Sequence, residues 1–103
     1  MFKITKAVAE KILADVPQEK RFRCHDGRVL KSLPELEAEL KVMSEETFRY
    51  HLNDTKSDFS NWVRDVVGDE KLSRNLRKNT NRAQAAKRVA DRIAWLKSKI
   101  AAA

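Results

Sequence analysis

A chain of 103 residues, 42 % hydrophobic, with two glycines and two prolines, can bury one small core; it is too apolar for wholesale disorder and too poor in turn residues for an all-β fold. Its formal net charge is +7, and its single cysteine, Cys24, excludes an intramolecular disulfide, so a reducing interior is expected. No apolar run approaches the ~20 residues of a membrane span, and residues 1–6 lack the apolar stretch of a signal peptide, so the expectation is a cytoplasmic protein with no membrane partner.

In chain order, residues 5 to 15 read as a helix. Thr5 is its N-cap, and Val8, Ile12 and either Ala9 or Leu13 share one face. Pro17 stops it. Residues 21–31 carry Asp26-Gly27, a tight-turn signal, between Phe22 and Cys24 on one side and Val29-Leu30 on the other. That is a two-stranded hairpin, too small to stand alone, so it must pack on helices.

Ser32 and Glu35 make a capping box with Pro34 in the first turn, opening a helix that carries Leu36, Leu40 and Met43. Ser44 starts a second short helix, with Glu45 and Glu46 at its positive end and Phe48 and Leu52 as apolar anchors. Phe48 and Tyr50 sit two apart and cannot share a face; Phe48 is the core residue. Asn53 to Lys56 connect to a helix capped by Ser57 or Asp58, whose Phe59, Trp62, Val63 and Val66 follow the i, i+3, i+4, i+7 pattern and whose end is Gly68. Leu72 and Leu76 anchor a further turn or two. Thr80 then caps the last helix, about residues 81–101, where Ala86, Val89, Ile93, Leu96 and Ile100 recur at spacings 3-4-3-4. Ala83, Ala86, Ala90 and Ala94 widen that stripe. The stripe serves as a seam, either inside the fold or across a homodimer.

The expected architecture is mainly α (α+β in detail): one domain over residues 1–103 with five or six short helices and one hairpin near residues 21–31. Phe48-Arg-Tyr-His-Leu52, followed by Ser57-Asp-Phe-Ser-Asn-Trp-Val-Arg-Asp-Val-Val-Gly-Asp-Glu-Lys-Leu72, resembles a small domain of unknown function found in archaea and bacteria. Asp26-Gly-Arg-Val-Leu-Lys-Ser-Leu-Pro-Glu-Leu36 resembles its start. The resemblance spans about residues 20–98 and implies a domain extent and a helix-rich fold, with no activity attached. Members with this pattern carry a mixed or acidic last helix, whereas here it is strongly basic.

That basicity is the main functional signal. From Lys71 to Ala103 there are ten Lys or Arg against one acid, Asp91, a net of +9; residues 1–70 hold 12 basic and 14 acidic groups, a net of −2. Such an excess attracts a polyanion over a Debye length of about 8–10 Å. The candidate nucleic-acid-binding residues are Arg74, Arg77, Lys78, Arg82, Lys87, Arg88, Arg92, Trp95, Lys97 and Lys99. Arg88, Arg92, Trp95 and Lys99, 4, 3 and 4 residues apart, form a ridge of three cations and an indole. Arg82 flanks a helix N-terminus suited to an anion. Nothing in the set suggests base reading, so the expected partner is nucleic acid, DNA before RNA, bound with little sequence preference on the nucleoid. The rival expectation is an interaction or homo-oligomerisation module built on the heptad-spaced seam.

Other chemistry is thin. Cys24, His25 and His51 include no Cys-x-x-Cys or His-x-x-x-His pair, so no metal and no cofactor are expected. His51 with Asp58, Asp65 and Asp69 permits an acid–base arrangement, yet those carboxylates suit helix capping (Asp58) or pairing with Arg64 and its neighbours. Without a nucleophile motif or a Gly-rich phosphate loop, no catalytic residue is assigned and the protein is not expected to be an enzyme.

Overall fold

The computed structural model describes residues 4–77 and 80–102. Among them are six α-helices: α1 (Lys6–Leu13), α2 (Leu33–Val42), α3 (Glu45–His51), α4 (Asp58–Trp62), α5 (Glu70–Asn75) and α6 (Arg82–Ala101). Strands β1 (Phe22–Arg23) and β2 (Val29–Leu30) make the hairpin. The fold is mainly α. Each of the six α-helices starts on a small polar side chain: Thr5, Ser32, Ser44, Ser57, Asp69 and Asn81 each accept from the backbone N–H three residues on. Each such cap contributes about 1 kcal/mol, which matters for helices only five to seven residues long.

Three local expectations are corrected. Asn81, not Thr80, caps α6, because Asn81 and Gln84 satisfy each other's backbone N–H groups in a reciprocal box. Thr80 is buried; its Oγ1 donates to Arg77 O at 2.7 Å and accepts from Arg88 at 2.9 Å. Of the residues thought to widen the α6 stripe, Ala83 and Ala94 are exposed, while Ala85 is fully buried in their place. Finally, α4 runs on into a π turn, Val63–Val67, where Gly68 N–H reaches back five residues to Val63 O at 2.8 Å. The extra residue rotates Val67 into the core and leaves Val66 only partly buried. Gly68 ends the turn at φ +89°, a left-handed conformation that glycine adopts without strain.

The hairpin pairs Phe22 with Leu30 and Arg23 with Val29, and Gly27 turns it at φ +96°. Phe22 carries it onto the helices: its ring stacks on Phe59 at 5.3 Å and meets Trp62 and His51 edge-on at 5.7 and 4.9 Å. Trp62 is buried and donates Nε1–H to Lys20 O at 2.8 Å. Between α4 and α5 the buried Ser60 and Ser73 exchange hydroxyl bonds with each other's backbone carbonyls, at 2.6 and 2.8 Å. Two small residues let those helices approach closely while leaving no polar atom orphaned. The long α6 lies against α1 and α2, and one continuous cluster of apolar side chains joins all six helices to the hairpin.

Candidate nucleic-acid interface

The apolar stripe of α6 is spent inside the molecule. Val89 and Leu96 are fully buried, Ala86 and Ile93 nearly so, and Ile100 packs on the same core from the edge. The 3-4-3-4 spacing therefore marks an intramolecular seam against α1 and α2. A homodimer built on those residues would have to open the core first.

The cations around that seam divide by their partners. Arg92 meets Asp69 through two hydrogen bonds, Nε to Oδ2 at 2.7 Å and Nη2 to Oδ1 at 2.9 Å, with both side chains almost wholly out of water. Arg82 turns inward: Nη1 donates to Leu40 O and Lys41 O, each at 2.9 Å, and Nε to Glu45 at 2.9 Å. It satisfies orphan carbonyls at the end of α2 and clamps α2 to the start of α3. Lys87 pairs with Asp91 at 2.9 Å one turn along α6, and Arg74 approaches Glu70 at 4.0 Å on α5, both at the exposed surface. Arg88 Nη1 donates to Asn75 O at 2.8 Å and to Thr80 Oγ1 at 2.9 Å, so it is anchored without losing its charge. Among the described residues Arg77, Lys97 and Lys99 are exposed with no carboxylate in salt-bridge range. Lys78 lies outside the described residues.

The ridge exists as geometry but not as uniform charge. Trp95 is 39 % exposed, and its indole lies between the Arg92 guanidinium carbon, 4.5 Å from the ring centroid, and Lys99 Nζ at 4.8 Å. Arg88, Arg92, Trp95 and Lys99 thus line one flank of α6, with the Arg92 charge cancelled by Asp69. Lys97 lies two residues from Trp95, about 200° around the helix, and does not join this flank. The α6 N-terminus is closed by its own capping box, so the anion site expected beside Arg82 is already filled by protein groups.

His51 is a structural residue. Buried on α3, it offers Nδ1 to Asp58 Oδ2 at 3.0 Å while Nε2 accepts from His25 N–H at 2.9 Å. That acceptor role fixes the tautomer with the proton on Nδ1 and leaves no ring nitrogen for a substrate or metal. Ser57 rather than Asp58 caps α4, freeing the carboxylate of Asp58 for His51 and Lys56. Asp65 pairs with the adjacent Arg64, which holds its carboxyl below the usual range. Asp69 caps α5 and binds Arg92.

Two arrangements have no counterpart in the sequence reading. On the exposed surface His25 stacks on Tyr50 at 4.1 Å, with Lys56 Nζ 4.6 Å from the same phenol ring. Under the hairpin, Cys24, Asp26 and Glu39 bring their side chains together. Burial first, and then the two neighbouring acids, push the Cys24 thiol up to about 12. Burial first, and then the neighbouring Asp26 carboxylate, push Glu39 up to about 7. Asp26 is held below the usual carboxylate range by its contact with Glu39 and by Arg28 N–H, which donates to its Oδ1 at 3.0 Å.

No family model matches the chain, and neither a curated protein nor a solved structure does.

Proposed function

We propose that this protein binds nucleic acid, duplex DNA in preference to RNA, with little sequence specificity, and acts in the cytoplasm as a nucleoid-associated protein. The observation that carries the reading is the distribution of charge: ten cations against one acid after residue 70, on a chain of net charge +7. The surface that serves it is the flank of α6 bearing Arg88, Trp95 and Lys99, extended by Arg77 at the end of α5. Arg88 to Lys99 spans eleven helical rises, about 16 Å, or roughly five base steps along one strand. Trp95, bracketed by two cations, suits stacking on a base or wedging at a groove. Arg92 and Arg82 belong to the scaffold and are not contacts. Nothing favours the oligomerisation reading, because its seam is buried.

A mobility shift with duplex DNA, single strands and RNA across a salt series tests this. With four phosphate contacts (Arg77, Arg88, Lys99 and the exposed Lys71 on α5), log K should fall against log salt with a slope of about −3 to −4 on duplex. Lys99→Glu should weaken binding on all sequences alike and flatten the slope by about one. A salt-independent shift, or none with any nucleic acid at low salt, overturns the proposal.

A further inference from the structure

We propose that Cys24, Asp26 and Glu39 form a site for a divalent cation of the zinc class, held by one thiolate and two carboxylates. The Sγ of Cys24 and one carboxylate oxygen from each acid lie within 4.8 Å of one another, the one such triple of His, Cys, Asp or Glu among the described residues. Cys24 and Asp26 come from the hairpin and Glu39 from the middle of α2, so the ligands are set by the packing of the two elements.

Glu39 points to a ligand independently of that grouping. Its side chain is 3 % exposed, and its Oε2 has no hydrogen-bond donor in reach. A carboxylate on the core-facing side of an amphipathic helix, where α2 otherwise places Leu33, Leu36 and Leu40, is costly unless something positive or a proton occupies it. Arg28 does so only in part: its Nε lies 3.3 Å from Oε1, and its side chain is 68 % exposed. That arginine can swing into water at little cost, leaving a thiol and two carboxyls facing one point.

The donor chemistry fits zinc, cobalt or cadmium better than calcium or magnesium, which take oxygen alone. Around a tetrahedral ion at Zn–S and Zn–O lengths, donors sit roughly 3.3–3.8 Å apart, so the triple must contract by about 1 Å, within the reach of side-chain rotation. The step balances as an exchange: the divalent ion enters, the Cys24 S–H proton leaves together with the Glu39 carboxyl proton where that group is protonated, and no electron moves. Three protein ligands leave the fourth tetrahedral position for water or an incoming ligand. His51 takes no part, since both its ring nitrogens are engaged.

Cobalt(II) titrated into the full chain is the test. The expected result is a one-to-one complex with a thiolate-to-cobalt absorption band in the near ultraviolet, displaced by zinc. Zinc at about a hundred times its Kd should also raise Tm by several degrees. Cys24→Ser should remove the band, and Glu39→Gln should weaken binding at least tenfold. Glu39→Gln keeps the size of the side chain and removes its charge, and circular dichroism of the metal-free variant checks that the fold is retained. A wild-type protein that shows no thiolate band and no zinc-dependent Tm, or a folded Glu39→Gln variant that binds as tightly as wild type, overturns the site.

Discussion

Arg92 and Asp69 join α6 to the start of α5 through two charge-assisted hydrogen bonds, with 10 % of one side chain and 1 % of the other exposed. Burying the pair was expensive, so its net contribution to stability is small, but removing one partner leaves the other charged and dry. Arg92→Ala should therefore cost about 3–5 kcal/mol in urea unfolding, far more than an exposed charge, because Asp69 would lose its counter-ion while still capping α5. Lys99→Glu, on the surface, should stay within about 0.5 kcal/mol of wild type. The contrast separates scaffold from contact on a helix where both residues look alike in sequence.

Glu39 gives the molecule a pH dependence of known sign. Its folded carboxyl titrates at about 7 against an ordinary 4.5, so the folded state favours the neutral form. Stability from this group is full below about pH 4.5 and is lost as pH rises through 7. Cys24 and Asp26 face it from the hairpin and Arg28 from β2's edge; Asp26, held low, titrates outside this window. Metal-free protein should therefore unfold more easily at pH 8 than at pH 5, by roughly 1–3 kcal/mol. Glu39→Gln should abolish most of that difference in parallel urea melts.

At the scale of elements, caps and periods were readable and register was not. Thr5, Ser32, Ser44 and Gly68 stand where their chemistry demands, because an N-cap or a positive φ is a local requirement. The α6 stripe was legible as a stripe, but what covers it was not: a 3-4 spacing is the same whether the facing helix belongs to this chain or another. The structure covers it with α1 and α2. Ile93→Asp should consequently unfold the monomer, shifting its melting transition below that of wild type by well over 10 °C, rather than dissociate a dimer. Sedimentation with far-ultraviolet circular dichroism distinguishes the outcomes. The π turn at Val63–Val67 was illegible for a related reason. Val66 fits an α-period and Val67 fits a period longer by one residue, and only the position of Gly68 against Val63 O selects between them.

For the whole molecule the charge asymmetry survives folding in reduced form. Of the nine C-terminal cations among the described residues, four have a carboxylate within 4.0 Å, and Arg88 is tied to a carbonyl and a hydroxyl. The pairing weakens the expected field without reversing it, since net charge is unchanged by where the pairs sit. Trp95→Ala, which leaves every ion pair intact, should lower single-strand affinity by about 1–3 kcal/mol if the indole stacks, and should leave Tm nearly unchanged. Equal affinity in a fluorescence titration would confine the interface to its cations.

Composition, hydrophobic period and capping chemistry, all short-range properties, determined that this chain is a small helical domain with one hairpin and an electropositive final third. The tertiary structure decided which cations remain available, which valine enters the core and which acid is buried beside a thiol. Those outcomes depend on groups far apart in the chain (Asp69 with Arg92, Glu45 with Arg82, Glu39 with Cys24) meeting at distances of a few ångströms, where the energy of a charge is set by its neighbour and by the exclusion of water.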